Sequence, residues 1–449
     1  MRTEVRRPLS PVERWFWISD QISPLNVIAR VRLTSHLAEG VLERATAHLA
    51  AEHPLLQMAI RANADGTNPV FESSTRGISV RTVRGGECEW ERQVDEYELR
   101  MSLDWRSGPL IRIVDVVLDS PTQEHDLVLT ASHVVADGTT ALTLLRRLVE
   151  HAARPGAQAG PDAVGSRPVI GAPEDLLPAR CRGLRGITRL AAIGLADGLA
   201  TALARPCRLT PESMVNPAPQ RTRLVRRTLT STQVDVLVRR CRQERVTVHG
   251  ALAAAMAIAI GPTAAQRASG RMCIGSPIDF RAELVPPVSV DEAGSYVCTV
   301  PLIVRFGGDR DLWSMAREVN RSLDRRRRSG QHLAMLWGLR FICPASVTKS
   351  SKAFGLLERN GPLNVGIWNL GRFEFPSRIG DWQLSGAQFL SSVMPFGYLV
   401  ATVNTSHSEL FWNFTYTDGK VSHRSAQRLA DGCLQTLLDA LAAIDERKG

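Results

Sequence analysis

Lysine is nearly absent from this sequence, and arginine therefore supplies almost all of the positive charge. The 449 residues include 55 lysines and arginines against 45 acidic residues, for a formal net charge of +10. The few lysines are Lys349, Lys352, Lys420 and Lys448. A net positive charge favours an anionic partner over a cationic one.

The densest run of positive charge is Arg325, Arg326, Arg327 and Arg328. One interpretation of the run is a solvated helix face. A second is a docking surface for a phosphate-bearing ligand or an acidic protein partner. No nucleic-acid-binding motif accompanies the run, so nucleic acid is not expected among the partners.

The eight cysteines include no CxxC pair, so the sequence gives no support for a zinc site, and we expect no metal centre. Cys273 and Cys298 lie in apolar, strand-like runs. In that setting a cysteine behaves as a small buried hydrophobic residue.

No apolar leader follows the first residues, MRTEVRR, so we expect no signal peptide and a cytoplasmic, reducing location. No uninterrupted apolar run is long enough to span a bilayer. The nearest candidate, 184–204, is interrupted by Arg185, Arg189, Asp197 and three glycines. It is interpreted as a helix that packs while crossing between two lobes, or as a surface that touches lipid or an apolar substrate.

The length and the 44% apolar content predict two to three domain-sized units with a sizeable core. Strand-like and helix-like patterns alternate along the chain, which predicts a mixed α/β class. Residues 153–179, rich in proline, glycine and alanine, are the best candidate for a domain boundary. Ser10, Pro11 and Glu13 predict a capped helix start.

A histidine at a strand end carries the clearest chemical signal. Residues 127–132 are strand-like, and His133 follows directly after them. Asp137 and Gly138 are expected to form a tight turn that begins the next helix. An imidazole with a near-neutral pKa suits proton abstraction from an alcohol or an amine. Alone, an HxxxDG pattern also fits a histidine that is merely satisfied by hydrogen bonds at a strand end.

The surrounding segments favour the catalytic interpretation. Residues 132–138 (SHVVADG) resemble the HHxxxDG signature of the superfamily that contains chloramphenicol acetyltransferase, nonribosomal peptide condensation domains, plant BAHD acyltransferases and the polyketide-associated protein acyltransferases, the last being closest in style. Further segments resemble the family's elements in the family's order: LSPVERWFWISDQISPLNVI (9–28), HPLL (53–56), DWRSGPLIR (104–112), VTVHGALAAA (246–255), PIDFR (277–281) and NLGR (369–372).

The resemblance implies two chloramphenicol acetyltransferase-like lobes, 1–180 with the HxxxDG motif and 181–449, with a tunnel between them. His133 takes the position of the catalytic base. Asp137 and Arg281 take the positions of a structural ion pair, and Gly138 permits close approach of the backbone. Asn369 matches a residue that lies near the active site in relatives.

The sequence departs from the signature at its first histidine, which is Ser132 here. That position is more often supportive than chemical, so activity is not excluded. A Ser132–His133 nucleophile pair is disfavoured, because neighbouring residues on a strand point to opposite faces.

The resemblance implies a stand-alone acyltransferase, because the chain carries neither a carrier-protein serine motif nor adenylation motifs. We expect a monomer with no tightly bound cofactor, and an acyl-CoA or phosphopantetheine-linked acyl thioester as co-substrate. Arg325, Arg326, Arg327 and Arg328 are the candidate docking surface for this donor. A hydroxyl acceptor, giving an ester in secondary-metabolite or lipid biosynthesis, is the leading hypothesis. The alternatives are an amide-forming condensation enzyme with an amine acceptor and a non-catalytic scaffold that binds carrier protein.

Overall fold

The structure of the protein is a computed structural model that describes residues 6–120, 123–153, 171–213, 220–308 and 310–443. Its strands are β1 (Arg7–Pro8), β2 (Asn26–Thr34), β3 (Met58–Arg61), β4 (Val70–Ser73), β5 (Ser79–Gly85), β6 (Ile111–Leu118), β7 (Glu124–Ser132), β8 (Thr222–Leu229), β9 (Gly270–Asp279), β10 (Val297–Phe306), β11 (Val365–Arg372), β12 (Arg378–Ile379), β13 (Trp382–Ser391), β14 (Leu399–Ser406) and β15 (Glu409–Thr417).

Helices alternate with these strands, which confirms the mixed α/β class. They are α1 (Pro11–Asp20), α2 (Val41–Glu52), α3 (Glu89–Gln93), α4 (Gly138–Ala152), α5 (Gly183–Ala204), α6 (Ser231–Gln243), α7 (Val248–Ala265), α8 (Leu312–Ser329), α9 (Gln331–Ile342), α10 (Val347–Asn360) and α11 (His423–Ala442).

Local sequence signals account for several of these elements. Ser10 begins α1 with the predicted capping box, in which its hydroxyl accepts from the Glu13 backbone and the Glu13 carboxylate accepts from the Ser10 backbone. Thr230 and Gln233 form the same arrangement at the start of α6. Each box satisfies backbone N–H groups that a helix start leaves unpaired.

Two six-stranded sheets form the centres of two lobes. The first has the order β12-β13-β2-β7-β6-β5 and the second the order β10-β9-β11-β14-β15-β8. In the first, α4 packs on β2, β7 and β13; in the second, α7 packs on β9, β10 and β11. Each sheet has its own large hydrophobic core, so the predicted two-lobed architecture is confirmed. A small sheet, in the order β1-β4-β3, adds to the first lobe.

The later part of the chain contributes to both sheets. β13 pairs antiparallel with β2, from Ser391 opposite Val27 to Gln383 opposite Thr34. The sheet of the first lobe therefore contains strands from the segment 181–449, which the sequence assigned to the second lobe. The division at 180/181 itself stays a prediction. Of the predicted boundary segment 153–179, residues 154–170 lie outside the described residues.

Among the described residues, two helices are long and apolar enough to cross a membrane by length and composition alone. α7 is 61% buried and forms the core of the second lobe, whereas α5 is only 11% buried. The interpretation of 184–204 as a packing helix is therefore correct for only part of its surface. The cysteines Cys273 and Cys298 are buried as predicted.

Candidate active site

His133 follows directly on the last residue of β7. Its backbone N–H donates to the Leu25 carbonyl at 3.1 Å, just before β2, and the register of β2 with β7 pairs Asn26 with Ser132. The residue is 7% exposed. The strand pairing thus holds the histidine backbone in place at the end of β7 that faces the second lobe's segment 294–296.

Two side chains hold the imidazole itself. The Nδ1 atom lies 3.3 Å from the Ser295 hydroxyl, and the Phe16 ring of α1 stacks on the imidazole at 4.1 Å between centroids and 8° between planes. Sequence reasoning identified neither residue, because each is brought to the histidine by tertiary packing and no local pattern marks it. With Nδ1 directed towards Ser295, the opposite nitrogen, Nε2, is the one available for proton transfer.

Burial lowers the pKa of His133 below its ordinary value of 6.5, because desolvation disfavours the charged imidazolium. The nearby Asp137 carboxylate and backbone interactions at His133 and Ala136 raise the pKa, but their effect is smaller. The imidazole is therefore neutral at pH 7, which is the protonation state that a general base requires.

Asp137 is turned away from the imidazole and into a buried network. Its Oδ1 accepts from the Thr140 backbone at 2.9 Å, as the N-cap of α4, and from Arg281 Nη2 at 2.9 Å. Its Oδ2 accepts from the Tyr296 backbone at 2.9 Å and lies 2.8 Å from Arg281 Nη2. Burial alone would raise the pKa of Asp137, but the Arg281 charge and these hydrogen bonds lower it.

Arg281 completes the network from the second lobe. Its guanidinium also donates to the Thr140 hydroxyl and to the Asp279 carboxylate, both at 2.8 Å, and lies over the Tyr296 ring at 4.7 Å. The side chains of Asp137 and Arg281 are only 1% and 3% exposed. The predicted partner residues thus lie in contact, and we call this set of interactions the Asp137–Arg281 clasp.

Gly138 begins α4 beneath aromatic and aliphatic side chains. A Cβ atom there would come within 2.7 Å of two Phe389 ring carbons and 3.2 Å of Leu370 Cδ1. These distances are too short for an alanine unless neighbouring groups move, so close approach, as predicted, explains the glycine.

Ser132 and Asn369 make local contacts. The Ser132 hydroxyl accepts weakly from the Val134 backbone at 3.4 Å, whereas the imidazole faces Ser295. The Asn369 carbonyl oxygen accepts from the Gly371 backbone at 2.7 Å, where β11 is irregular. Roles for both residues at the active site stay predictions.

The four consecutive arginines at the end of α8 differ in environment. Arg326 is largely buried and donates to Asp197 of α5 at 2.5 Å and to Gln331 at 2.6 Å. Arg325, Arg327 and Arg328 are exposed. The predicted use of this cluster in donor docking thus concerns three side chains, and it stays a prediction.

Among the described residues, no group of three or more histidine, cysteine or acidic side chains is arranged to hold a metal ion. The chemistry that the described site offers is therefore built from one neutral imidazole, held by a hydroxyl and an aromatic ring, next to a carboxylate occupied by an arginine.

Comparison with sequences of known proteins identifies two kinds of relative. Residues 218–374 match a family described as phthiocerol/phthiodiolone dimycocerosyl transferase C-terminus. Over 149 residues the chain is 30% identical to chondramide synthase from Chondromyces crocatus, and over 149 residues it is 30% identical to a linear gramicidin synthase from Brevibacillus parabrevis. These matches cover 32% and 31% of this chain but 4% and 2% of the two synthases.

Solved structures match over nearly the whole chain. Polyketide synthase associated protein 5 from Mycobacterium tuberculosis is 17% identical with a TM-score of 0.68, covering 99% of each chain. A trichothecene 15-O-acetyltransferase from Fusarium sporotrichioides is 12% identical with a TM-score of 0.72, covering 98% of this chain and 96% of that one. The epimerization domain from the third module of tyrocidine synthetase B is 15% identical with a TM-score of 0.71, covering 100% and 98%. At these identities the likeness establishes a shared fold.

Proposed function

The chain has the two-lobed fold of the condensation-domain and chloramphenicol acetyltransferase-like superfamily, and on that premise we propose that it is a thioester-dependent acyltransferase. His133 is the general base, and the acyl group moves from a CoA or acyl-carrier-protein thioester to a hydroxyl. The single observation that carries this proposal is the buried imidazole of His133, whose Nδ1 lies 3.3 Å from the Ser295 hydroxyl.

The hydrogen bonds of Asp137 support the proposal that His133 acts as a base without help from this carboxylate. Both oxygens of Asp137 accept hydrogen bonds from Arg281 or from the backbone of Thr140 and Tyr296. A carboxylate in that position does not orient the imidazole as the acid of a serine-hydrolase triad does. Asp137 is therefore assigned to holding the loop and the lobes together, and proton transfer is assigned to His133.

The proposed step balances without a metal or a redox cofactor. His133 Nε2 removes the proton of the acceptor hydroxyl as the oxygen attacks the thioester carbonyl carbon. The tetrahedral intermediate then collapses, the carbon–sulfur bond breaks, and the imidazolium returns the proton to the leaving thiolate. The products are an ester and a free thiol, and the enzyme regains its neutral imidazole.

The contacts of the imidazole constrain how the acceptor approaches. Phe16 covers one ring face, but a proton on Nε2 lies in the plane of the ring, so the stacked phenyl leaves that direction open. Since His133 is only 7% exposed, the acceptor must reach it through an enclosed passage. A tunnel between the lobes would meet this requirement and would keep water from competing for the acyl group.

The donor is proposed to be anionic. CoA carries phosphates and carrier proteins are generally acidic, and both complement a chain with a net charge of +10. Similarity to parts of two synthases supports a carrier-bound donor. The same similarity favours the second candidate, amide formation with an amine acceptor; the acetyltransferase of similar fold favours the ester.

The direct test is product formation by the purified chain. Acyl-CoA and acyl-carrier-protein donors are each supplied with alcohol or amine acceptors, and products are identified by mass spectrometry. We expect the parent to form an acylated product and His133→Ala to lower turnover by roughly a hundredfold or more, the usual scale for a general base.

His36→Ala is the matched control, since His36 is an exposed histidine just after β2. It should retain parental turnover. Equal turnover by the parent and His133→Ala would contradict the proposed base. A parent that binds acyl carrier protein as tightly as His133→Ala but turns over no substrate would favour the scaffold hypothesis.

A separate assay, which contains no lipid, tests whether the exposed arginines of the cluster dock the donor. Replacing Arg325, Arg327 and Arg328 by glutamate should lower kcat/KM for the donor and flatten its dependence on salt, because rim charges act mainly on the encounter rate. Saturation by a neutral acceptor should be unchanged. If kcat/KM for the donor depends on salt in the same way for the parent and the variant, the cluster is a solvated surface with no role in donor docking.

A further inference from the structure

The outward face of α5 is apolar over most of its length. Leu184 is 81% exposed, Leu195 76%, Leu199 59% and Leu203 71%. Leu184, Leu195 and Leu199 fall within one narrow arc of the helix, at 3.6 residues per turn. Monomeric soluble proteins rarely leave so many large apolar side chains exposed together on one element.

The opposite face of the helix is attached to the body of the protein. Gly186, Leu190 and Thr201 are buried, and they follow one another at helical spacing. Asp197 on the same face accepts from Arg326 of α8 at 2.5 Å. A helix that crossed a bilayer would have to abandon these contacts, whereas a helix that lies on a surface keeps them.

The exposed charged side chains of α5 and of its two ends have one sign. Within α5 the only other charged residues are Arg185 and Arg189, and both are exposed. Further exposed arginines lie close to its two ends, at Arg182 and Arg205. The one acidic residue of the helix, Asp197, is neutralised by Arg326.

We propose that the outward face of α5 docks on an anionic lipid bilayer. The leucines insert between the acyl chains and headgroups, and the flanking arginines bind the phosphates and carboxylates of acidic lipids. An apolar helix face bordered by arginines, lying parallel to the membrane, is the arrangement that interfacial helices adopt.

The composition of the face favours lipid over a protein partner. The cores of protein interfaces are enriched in tryptophan, tyrosine, methionine and arginine in well-packed pockets. The outward face of α5 instead presents leucine, alanine and glycine on a convex helix. Leucine and small residues on a convex surface fit a fluid bilayer, because lipid chains adapt to the protein surface and no complementary pocket is needed.

The proposal is tested with the full chain and vesicles, without donor or acceptor. Sedimentation is measured with phosphatidylcholine vesicles and with vesicles that contain about 30% phosphatidylserine. We expect binding to the anionic vesicles that weakens as salt is raised, because salt screens the arginine contribution. Leu184→Gln/Leu195→Gln/Leu199→Gln should lower partitioning about a hundredfold or more at unchanged net charge.

The matched control replaces three apolar residues that are 53–57% exposed elsewhere on the protein: Met101→Gln/Val290→Gln/Leu356→Gln. This variant should bind vesicles as the parent does. Arg185→Gln/Arg189→Gln should weaken binding to anionic vesicles more than to neutral ones. His133→Ala should bind as the parent does, so that failure of the proposed chemistry does not affect this test.

Two outcomes would overturn the proposal. One is equal vesicle binding by the parent and the triple-leucine variant of α5. The other is a parent that binds no vesicles and is dimeric by light scattering, with the dimer dissociated in the triple-leucine variant. That second result would assign the face to contact between two copies of the chain.

Discussion

Replacing Asp137 by alanine should destabilise the fold before it affects the chemistry. The change removes an N-cap from α4 and the buried partner of Arg281, whose side chain is 3% exposed. Breaking a buried ion pair from one side costs about 3–5 kcal/mol, because the remaining charge stays desolvated. Asp279, which also contacts Arg281 at 2.8 Å, reduces this cost towards the lower end of the range.

The size of the expected shift in melting temperature follows from the length of the chain. With an unfolding entropy of about 2.1 cal/mol/K per residue, a cooperative chain of 449 residues loses roughly 3–5 °C for a loss of 3–5 kcal/mol. Differential scanning calorimetry measures this shift directly. Asp279→Ala is the control: its carboxylate is 42% exposed and pairs with the same guanidinium, so its loss should cost about 1 kcal/mol or less.

A double-mutant cycle separates the ion pair from the cap. Arg281→Met should destabilise the parent, but in the Asp137→Ala background it should cost much less, since the uncompensated charge leaves with it. Additive effects of the two substitutions would refute the argument from the buried pair. A stable, well-folded Asp137→Ala with only its rate impaired would instead assign Asp137 a direct catalytic role.

Three further predictions concern the site. Because burial places the pKa of His133 below 6.5, and the neutral imidazole is the active form, activity should fall only as the pH drops below 6.5; an acid limb of kcat/KM centred at or above 6.5 would contradict this. Ser295→Ala should lower kcat by roughly tenfold with little change in KM and should move that acid limb, whereas a merely structural serine would leave the limb in place. Gly138→Ala should cost about 1–3 kcal/mol in unfolding experiments, and Phe389→Leu should recover part of that loss if the clash with the ring is its cause.

Elements with local signals could be predicted from the sequence. The apolar, β-rich run 111–118 predicts a strand, and β6 has those bounds. The capping boxes at Ser10 and Thr230 are encoded within four residues, and so are the strand end before His133 and the helix start after Asp137. The helices α9 and α10 were not predicted.

Long-range pairing was beyond local patterns. The register of β13 with β2 joins residues 349 to 364 positions apart, and nothing in either strand alone specifies the other as its neighbour. For the same reason the contacts of His133 with Phe16 and Ser295 could not be foreseen. Pairing of Asp137 with Arg281 was anticipated only through resemblance to a family, because 144 residues separate them.

The sequence by itself predicted the class of fold, a resemblance to a superfamily and the position of the histidine, because motif order, strand alternation and caps are properties of short segments. Only the tertiary structure decided which groups surround that histidine and which face of α5 remains in contact with solvent. The sequence shows that residues 184–204 are mostly apolar, but it does not show which of them are covered. Burial depends on which other surfaces the fold brings to each face, and those surfaces come from distant parts of the chain.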